Sequence, residues 1–187
     1  MITRQRGGPA TEEHTMTHPT PAPSAEWEQR SVALWATIDA HTEEEFVALV
    51  DELVADLPAD SGLALFERAA AQDSTGHSDR AVPLYARALE AGLPGERRRR
   101  AVIQMSSSLR NLGRAEESVR LLTAERALGT DHLSDAVAAT LALALADTGR
   151  EREAVSVAVA ALAPHLPRYQ RSMANYARLL VEPDEEA

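Results

Sequence analysis

Four consecutive arginines, Arg97–Arg100, are the strongest chemical signal in the sequence. They stand where a helix is predicted to begin, and positive charge in a first turn opposes the helix dipole by about 0.3–1 kcal/mol per charge. Helix stability alone therefore does not explain the run, although Glu96 can pair with Arg100 across one turn. Because guanidinium groups bind carboxylates, the run predicts either an acidic ligand or a solvated surface with internal ion pairs, for which Glu67 and Asp73 are candidates.

A polar stripe continues from this run along the same predicted helix. Residues three and four apart share one side of a helix. Here that side carries Arg100, Ile103, Gln104, Ser107, Arg110 and Asn111. Arginine and asparagine suit a carboxylate or a backbone amide, so the stripe is the main candidate binding surface.

Catalytic signatures are missing from the sequence. It contains no GxSxG, no Gly-rich phosphate loop and no HExxH, and it has no cysteine. The six histidines are scattered, and His14 and His18 alone stand four residues apart. Ser106–Ser108 lies in mid-helix with no base placed beside it. We therefore expect no enzymatic activity, no metal and no cofactor.

Composition favours helices and argues against two classes of partner. Hydrophobic residues make up 44% of the 187 and aromatics only 4%, so the core must consist largely of Ala, Leu and Val. A net charge of -10 is unsuited to general nucleic-acid binding. No segment approaches the roughly 20 apolar residues of a membrane span, and the N-terminus lacks the apolar centre of a signal peptide. We expect a cytoplasmic protein.

The first third of the chain divides into a tail and a helical hairpin. Residues 1–24 are rich in Pro, Thr and Gly and predict a disordered tail, in which Met16 as well as Met1 is a candidate start. Residues 25–59 predict two helices, the first over 25–40.

The second helix of this hairpin has a clear start signal. Thr42 is followed three residues later by Glu45, which is the pattern of a capping box. Apolar residues then recur at helical spacing, starting at Phe46.

The remainder of the chain repeats itself. Gly76, Gly113 and Gly149 each separate two predicted amphipathic helices and stand 37 and 36 residues apart. A fixed period of this size predicts stacked helix hairpins. We assign them to residues 60–94, 95–130 and 131–167, followed by a capping helix and acidic tail over 168–187.

These hairpins resemble the tetratricopeptide repeat. The family pattern has Ala five residues after the Gly, an aromatic four further on and another Ala three beyond. The first hairpin matches it with Gly76, Ala81, Tyr85 and Ala88. The second has Ser118, Leu122 and Glu125, and the third has Ala154, Ala158 and Ala161. The chain looks like a small bacterial member of the family, with the resemblance covering about residues 60–167.

The resemblance implies a fold and a binding surface. The fold is all-α, with antiparallel hairpins stacked into a right-handed superhelix. In this family the first helix of each repeat lines a concave groove that binds a protein or peptide. Carried over by position, the first repeat offers Leu63, Phe66, Ala70, Asp73 and Ser74, and the third offers Ala136, Ala139, Leu143, Ala146 and Asp147.

We therefore predict a non-catalytic scaffold for an extended peptide with an acidic or C-terminal carboxylate group. The predicted contacts are Phe66, Arg100, Ile103, Gln104, Ser107, Arg110, Asn111 and Leu143.

Two alternatives remain at this level. Exposed Trp27, Trp35 and Phe46 could join two copies in a homodimer, or the N-terminal helices could fill the groove of their own chain. Nucleic-acid binding through Arg97–Arg100 is a weaker alternative, since the net charge opposes it and no aromatics lie among the arginines for base stacking.

Overall fold

A computed structural model describes residues 23–182 of the chain, and these residues are helical, without a strand. The α-helices are α1 Ala25–Trp35, α2 Glu43–Val54, α3 Gly62–Ser74, α4 Ser78–Glu90, α5 Gly95–Asn111, α6 Ala115–Ala127, α7 Ser134–Asp147, α8 Glu151–Leu162 and α9 Gln170–Leu179. Short 3₁₀ helices occupy Ile38–Ala40 and Ala163–His165. The all-helical prediction is confirmed. The predicted tail up to residue 22, with Met16 and the His14–His18 pair, and the last five residues lie outside the described part.

Six helices form three hairpins, α3–α4, α5–α6 and α7–α8. Successive hairpins stack so that α3 contacts α5 and α5 contacts α7, and we call these three helices the inner row. The helices α4, α6 and α8 are the second members of their hairpins, and we call them the outer row. This is the arrangement of a helical-repeat superhelix.

The three repeat glycines have the conformation that the hairpin turns demand. Gly76, Gly113 and Gly149 have φ angles of 85°, 73° and 74°, in the left-handed region that L-residues enter at a cost. No atom lies within 4 Å of a Cβ built on any of them, so the backbone angle and not lack of space selects glycine there.

Small residues bring the helices of the first hairpin close together. Ala81, Tyr85 and Ala88 of α4 are completely buried, and they pack against Leu65 and Ala69 of α3. The Tyr85 ring fills the space that the small side chains leave between the two helices. The repeat pattern in the sequence is therefore the packing pattern of the core.

In the third hairpin a different residue fills the space between the two helices. Ala158, at the position where the first hairpin has Tyr85, is exposed. Its neighbour Val157 packs against the buried cluster that includes Leu141 and Ala154. The volume missing at Ala158 is therefore supplied one residue earlier in the chain.

The N-terminal hairpin begins as expected but its first helix is shorter than predicted. The capping box is present, with the Glu45 amide donating to the Thr42 hydroxyl at 3.3 Å and the Thr42 amide donating to the Glu45 carboxylate at 2.9 Å. The first helix ends at Trp35 instead of residue 40. There the hydroxyl and amide of Thr37 both bond the Leu34 carbonyl, which tightens the chain into a 3₁₀ turn.

Among residues 23–182 no helix has the length and apolar character needed to cross a membrane.

Candidate binding groove

The first arginine of the run fastens the N-terminal helix to the inner row. Arg97, on α5, donates two hydrogen bonds of 2.9 and 2.5 Å to the Glu28 carboxylate of α1. It also lies 3.9 Å from the Glu67 carboxylate of α3 and 5.9 Å from the centre of the Trp27 ring. These contacts raise the pKa of the Arg97 guanidinium, chiefly through its hydrogen bonds to Glu28. Arg97 is therefore a structural residue.

The second and third arginines neutralise a buried glutamate. Glu125 of α6 is 2% exposed, at the position where the first repeat has a small alanine. Arg98 contacts its carboxylate at 2.6 Å and Arg99 at 3.5 Å, while Arg99 also pairs with Asp131 at 3.2 Å. A buried carboxylate needs such partners. Glu125 is the second repeat's departure from the family pattern, and Arg98 and Arg99 neutralise it. The two features of the sequence therefore belong together.

The fourth arginine is different. Arg100 is exposed, and no carboxylate lies within ion-pair distance of it among residues 23–182. Its guanidinium lies 5.4 Å from the centre of the Phe66 ring, in cation–π contact. Its predicted partner Glu96 instead lies 3.4 Å from His132.

The groove face of the first repeat is buried, and helix α1 covers the part of it at Leu63 and Glu67. Leu63, Phe66 and Ala70 of α3, all predicted to line the groove, are 8%, 1% and 3% exposed. Trp27 packs against Leu63, and its indole N–H donates to the Leu53 carbonyl of α2 at 3.0 Å. Phe66 packs in the core of the repeats, with its ring centre 6.2 Å from that of Tyr85, and is inaccessible to a ligand in this structure.

Two carboxylates of α3 have raised pKa values. Glu67 is 3% exposed, accepts a 2.8 Å hydrogen bond from the Trp35 indole and has its pKa raised by burial, against the opposing effects of Trp35, Arg97 and Arg100. Asp73 accepts a 2.5 Å hydrogen bond from the Ser108 hydroxyl, and burial raises its pKa as well. The charge of Arg100 acts on Glu67 from a distance, but neither carboxylate lies within ion-pair distance of its guanidinium, so its N–H donors remain available to another carboxylate.

The groove faces of α5 and α7 remain accessible. Every residue predicted to line them is exposed or partly exposed, and Leu143 of α7 is 53% exposed. Arg110 crosses from one face to the other and contacts Asp147 at 2.7 Å. We call this surface the open groove. It comprises Arg100, Ile103, Gln104, Ser107, Arg110 and Asn111 of α5 with Ala136, Ala139, Leu143, Ala146 and Asp147 of α7.

Several polar residues of the open groove are already engaged. Arg110 is paired with Asp147, and the Asn111 amide donates to the Ser78 hydroxyl at 3.4 Å. Gln104 is only partly exposed, and its side-chain oxygen is buried without a hydrogen-bond partner. Among the described residues Arg100 is therefore the only cation of the open groove without a carboxylate partner.

Sequence reasoning missed the exposed side chains of α9 as groove candidates. Leu179 and Tyr176 are 48% and 59% exposed. Leu179 stands 36 residues after Leu143, which itself stands 36 after Ser107. The repeat period therefore gives Leu179 the same position on its helix as two residues of the open groove, and the period was readable from the sequence.

The register of α9 continues that of the inner row. Ser156 of α8 donates a 2.7 Å hydrogen bond to the Ala177 carbonyl, which attaches α9 to the last hairpin. Like α3, α5 and α7, α9 therefore packs on an outer-row helix, and we regard it as a further inner-row helix.

Comparison with known families agrees with this extended register. The family model described as Tetratrico peptide repeat matches residues 62–180, which is well over half of the chain. The match begins with α3 and runs through α9. No curated protein matches the sequence.

Proposed function

The chain belongs to the tetratricopeptide repeat family, and we propose that it is a scaffold that binds a carboxylate-bearing segment of a partner protein in the open groove. Members of the family generally mediate protein–protein interactions, and their repeat domains are typically non-catalytic. The proposal adds a location, the faces of α5 and α7, and a ligand group, a carboxylate.

Arg100 is the observation that supports the proposal. The three arginines before it are matched by four carboxylates, those of Glu28, Glu67, Glu125 and Asp131. Within residues 23–182 Arg100 has none, and its guanidinium lies 5.4 Å from the centre of the Phe66 ring. A planar guanidinium with unused N–H donors favours two parallel hydrogen bonds to a carboxylate.

The α7 side of the open groove favours apolar contacts. Leu143 projects into solvent between the small side chains of Ala139 and Ala146. An apolar side chain of the partner that covered it would bury surface worth about 25 cal/mol per Å². We therefore expect the partner segment to combine a carboxylate with at least one large apolar residue.

The homodimer alternative loses its original support. Trp27 and Phe46, which were expected to be exposed, are 4% and 1% exposed. Trp35 is only partly exposed and bonds Glu67. These aromatics hold the N-terminal hairpin on its own first repeat, which agrees with the alternative in which the chain fills part of its groove.

The nucleic-acid alternative is weakened in the same way. It rested on the charge of Arg97–Arg100, and three of these four residues contact carboxylates of the same chain. A single exposed Arg100 neutralises few phosphates.

The test is capture of partners from a lysate of the source cell by wild type and by Arg100→Glu. The matched control is Arg120→Glu, which makes the same charge change at an exposed arginine of the outer helix α6. We expect a protein that wild type and the control retain and that Arg100→Glu loses, with the far-UV circular dichroism of all three unchanged.

The affinity of the captured protein is then measured for each of the three purified chains. Loss of one exposed charge-assisted contact should weaken binding about tenfold or more. Equal affinity for wild type and Arg100→Glu would overturn the proposed site.

A further inference from the structure

We infer that the partner segment binds the open groove as an α-helix and not as an extended strand. This inference rests on the proposed function and adds the conformation and side-chain pattern of the ligand. It is carried by the hydrogen-bonding capacity of the groove and by the helix that already occupies the neighbouring repeat.

The α7 face cannot bond the backbone of an extended peptide. Ala136, Ala139, Leu143 and Ala146 have no polar side-chain atoms, and the Thr140 hydroxyl beside them already donates to the Ala136 carbonyl at 2.9 Å. An extended chain that lost water there would leave its own N–H and C=O groups unpaired. A helix bonds these groups internally and presents only side chains.

The α5 face adds little backbone-bonding capacity. Arg110 is held by Asp147, and Asn111 donates to Ser78. The buried side-chain oxygen of Gln104 has no partner in the structure, but the residue is only partly exposed. Arg100 and the partly exposed Ser107 remain. The Arg100 guanidinium is better matched to a side-chain carboxylate than to a peptide carbonyl, and one hydroxyl cannot bond the successive N–H and C=O groups of an extended chain.

The first repeat shows which kind of segment packs on the inner row. There a helix, α1, covers Leu63 and Glu67, whose positions are taken by Arg100 and Gln104 in the second repeat. It places Trp27 against Leu63 of α3 and the adjacent Glu28 on Arg97 of α5. Its ligand-like features are an aromatic residue and a carboxylate within one helical turn.

The open groove offers matching features in the next repeat. Arg100 stands one turn after Arg97 on α5, and the exposed Leu143 of α7 is flanked by small alanines that allow a helix backbone to approach closely. We therefore expect an amphipathic helix with large apolar residues at i, i+3, i+4 or i+7 and a Glu or Asp at the edge of that stripe.

The experiment selects ligands from a displayed library of random peptides of about 16 residues, a length that can form a helix. Each peptide contains one fixed glutamate. The full chain is the bait, and Arg100→Glu and Leu143→Asp are counter-baits, with Arg120→Glu as the matched control. Selected peptides are synthesised with and without a proline at a central position, and their affinities are measured together with their circular dichroism in the complex.

The inference expects selected peptides with helical apolar spacing whose binding needs both Arg100 and Leu143. A central proline should weaken them by up to about 100-fold, because it costs a helix about 3 kcal/mol. Peptides that depend on Arg100 but tolerate proline, or that show a period of two, would overturn the helix and leave the proposed groove standing. A selection with no ligand dependent on Arg100 would overturn both.

Discussion

The inner row has a closed half, the first repeat with α1 packed on α3, and an open half, the open groove on α5 and α7. Equivalent positions are buried in the closed half and accessible in the open half. In the first repeat, Leu63 and Glu67 lie under α1, and the nearby Arg97 is paired with Glu28. One turn further along α5, Arg100 is exposed and has no carboxylate of the described residues within ion-pair distance. The closed and open halves are built from the same kind of helix hairpin. What differs is whether the chain provides a segment of its own to cover the face.

This contrast shows that a run of identical residues can have several roles. Arg97 joins α1 to α5, and Arg98 and Arg99 compensate Glu125. Of the four, Arg100 alone has no such partner among residues 23–182, which is why we propose it as the ligand contact. Substituting all four residues together would therefore disturb folding and binding at once, so the regions have to be tested one side chain at a time.

The largest expected effect comes from opening the closed half. Trp27→Ala removes a ring that is 4% exposed together with its hydrogen bond to Leu53, and should lower the free energy of unfolding by about 3–5 kcal/mol. Val32→Ala, on the same helix at a residue that is 70% exposed, is the control and should change it by less than about 0.5 kcal/mol. Urea titration monitored by circular dichroism measures both. Similar losses for the two variants would mean that α1 does not cover α3 as described.

A smaller effect should separate the two arginines at the boundary. Arg97→Met leaves Glu28 and the buried Glu67 without their guanidinium and should cost about 1–3 kcal/mol, after allowance for the partial exposure of the pair. Arg100→Met loses only the contact with the Phe66 ring and should cost about 0.5–1 kcal/mol. Equilibrium unfolding of both variants checks this difference. Equal losses would remove the distinction between a structural and an available arginine.

Much of this fold could be predicted from the sequence because the interactions that specify it are local. The glycine period, the small residues at Ala81 and Ala88 and the capping box at Thr42 each follow from backbone angles or packing within a few turns. The exposed face of α7, including Leu143, was predicted by carrying the family's groove positions over along the repeat period.

The assignment of the arginine partners could not be read in this way. Glu28 and Arg97 are 69 residues apart, and Arg98 and Glu125 are 27 apart. Their pairing depends on how α1 crosses α3 and on how α5 meets α6, which no helical period encodes. The burial of Phe66 was missed for a related reason, since its ring packs against residues of α4 and α5 that no single helical period links to it.

The pH dependence of stability should differ between wild type and Glu67→Gln. Burial raises the pKa of Glu67 above its ordinary value of 4.5, so the folded chain retains this proton at a pH where the unfolded chain has lost it. The stability contributed by protonated Glu67 is therefore complete below about pH 4.5 and declines as the pH rises towards the raised pKa. Glutamine does not titrate, so wild type should lose stability relative to the variant as the pH rises.

Unfolding free energies of both chains across this pH range measure the difference. A difference that moved in favour of wild type with rising pH would contradict the sign. It would show that the hydrogen bond from Trp35 and the charge of Arg97 outweigh burial in the closed half.

The smallest expected effect tests the open half, at the ion pair that spans it. Asp147→Asn removes the carboxylate that holds Arg110, and since both side chains retain some exposure the loss of stability should be about 0.2–1 kcal/mol. The same change leaves Arg110 as a second cation of the open groove without a carboxylate partner. A helical peptide with two carboxylates should then bind about two- to fivefold more tightly, and more so at low salt. Asp135→Asn, which removes an exposed carboxylate of α7 that contacts His165 instead, is the matched control. Calorimetric titration of one peptide into the three chains makes the comparison. If Asp147→Asn weakened binding, Asp147 itself would be a ligand contact and the open groove would recognise more than a carboxylate.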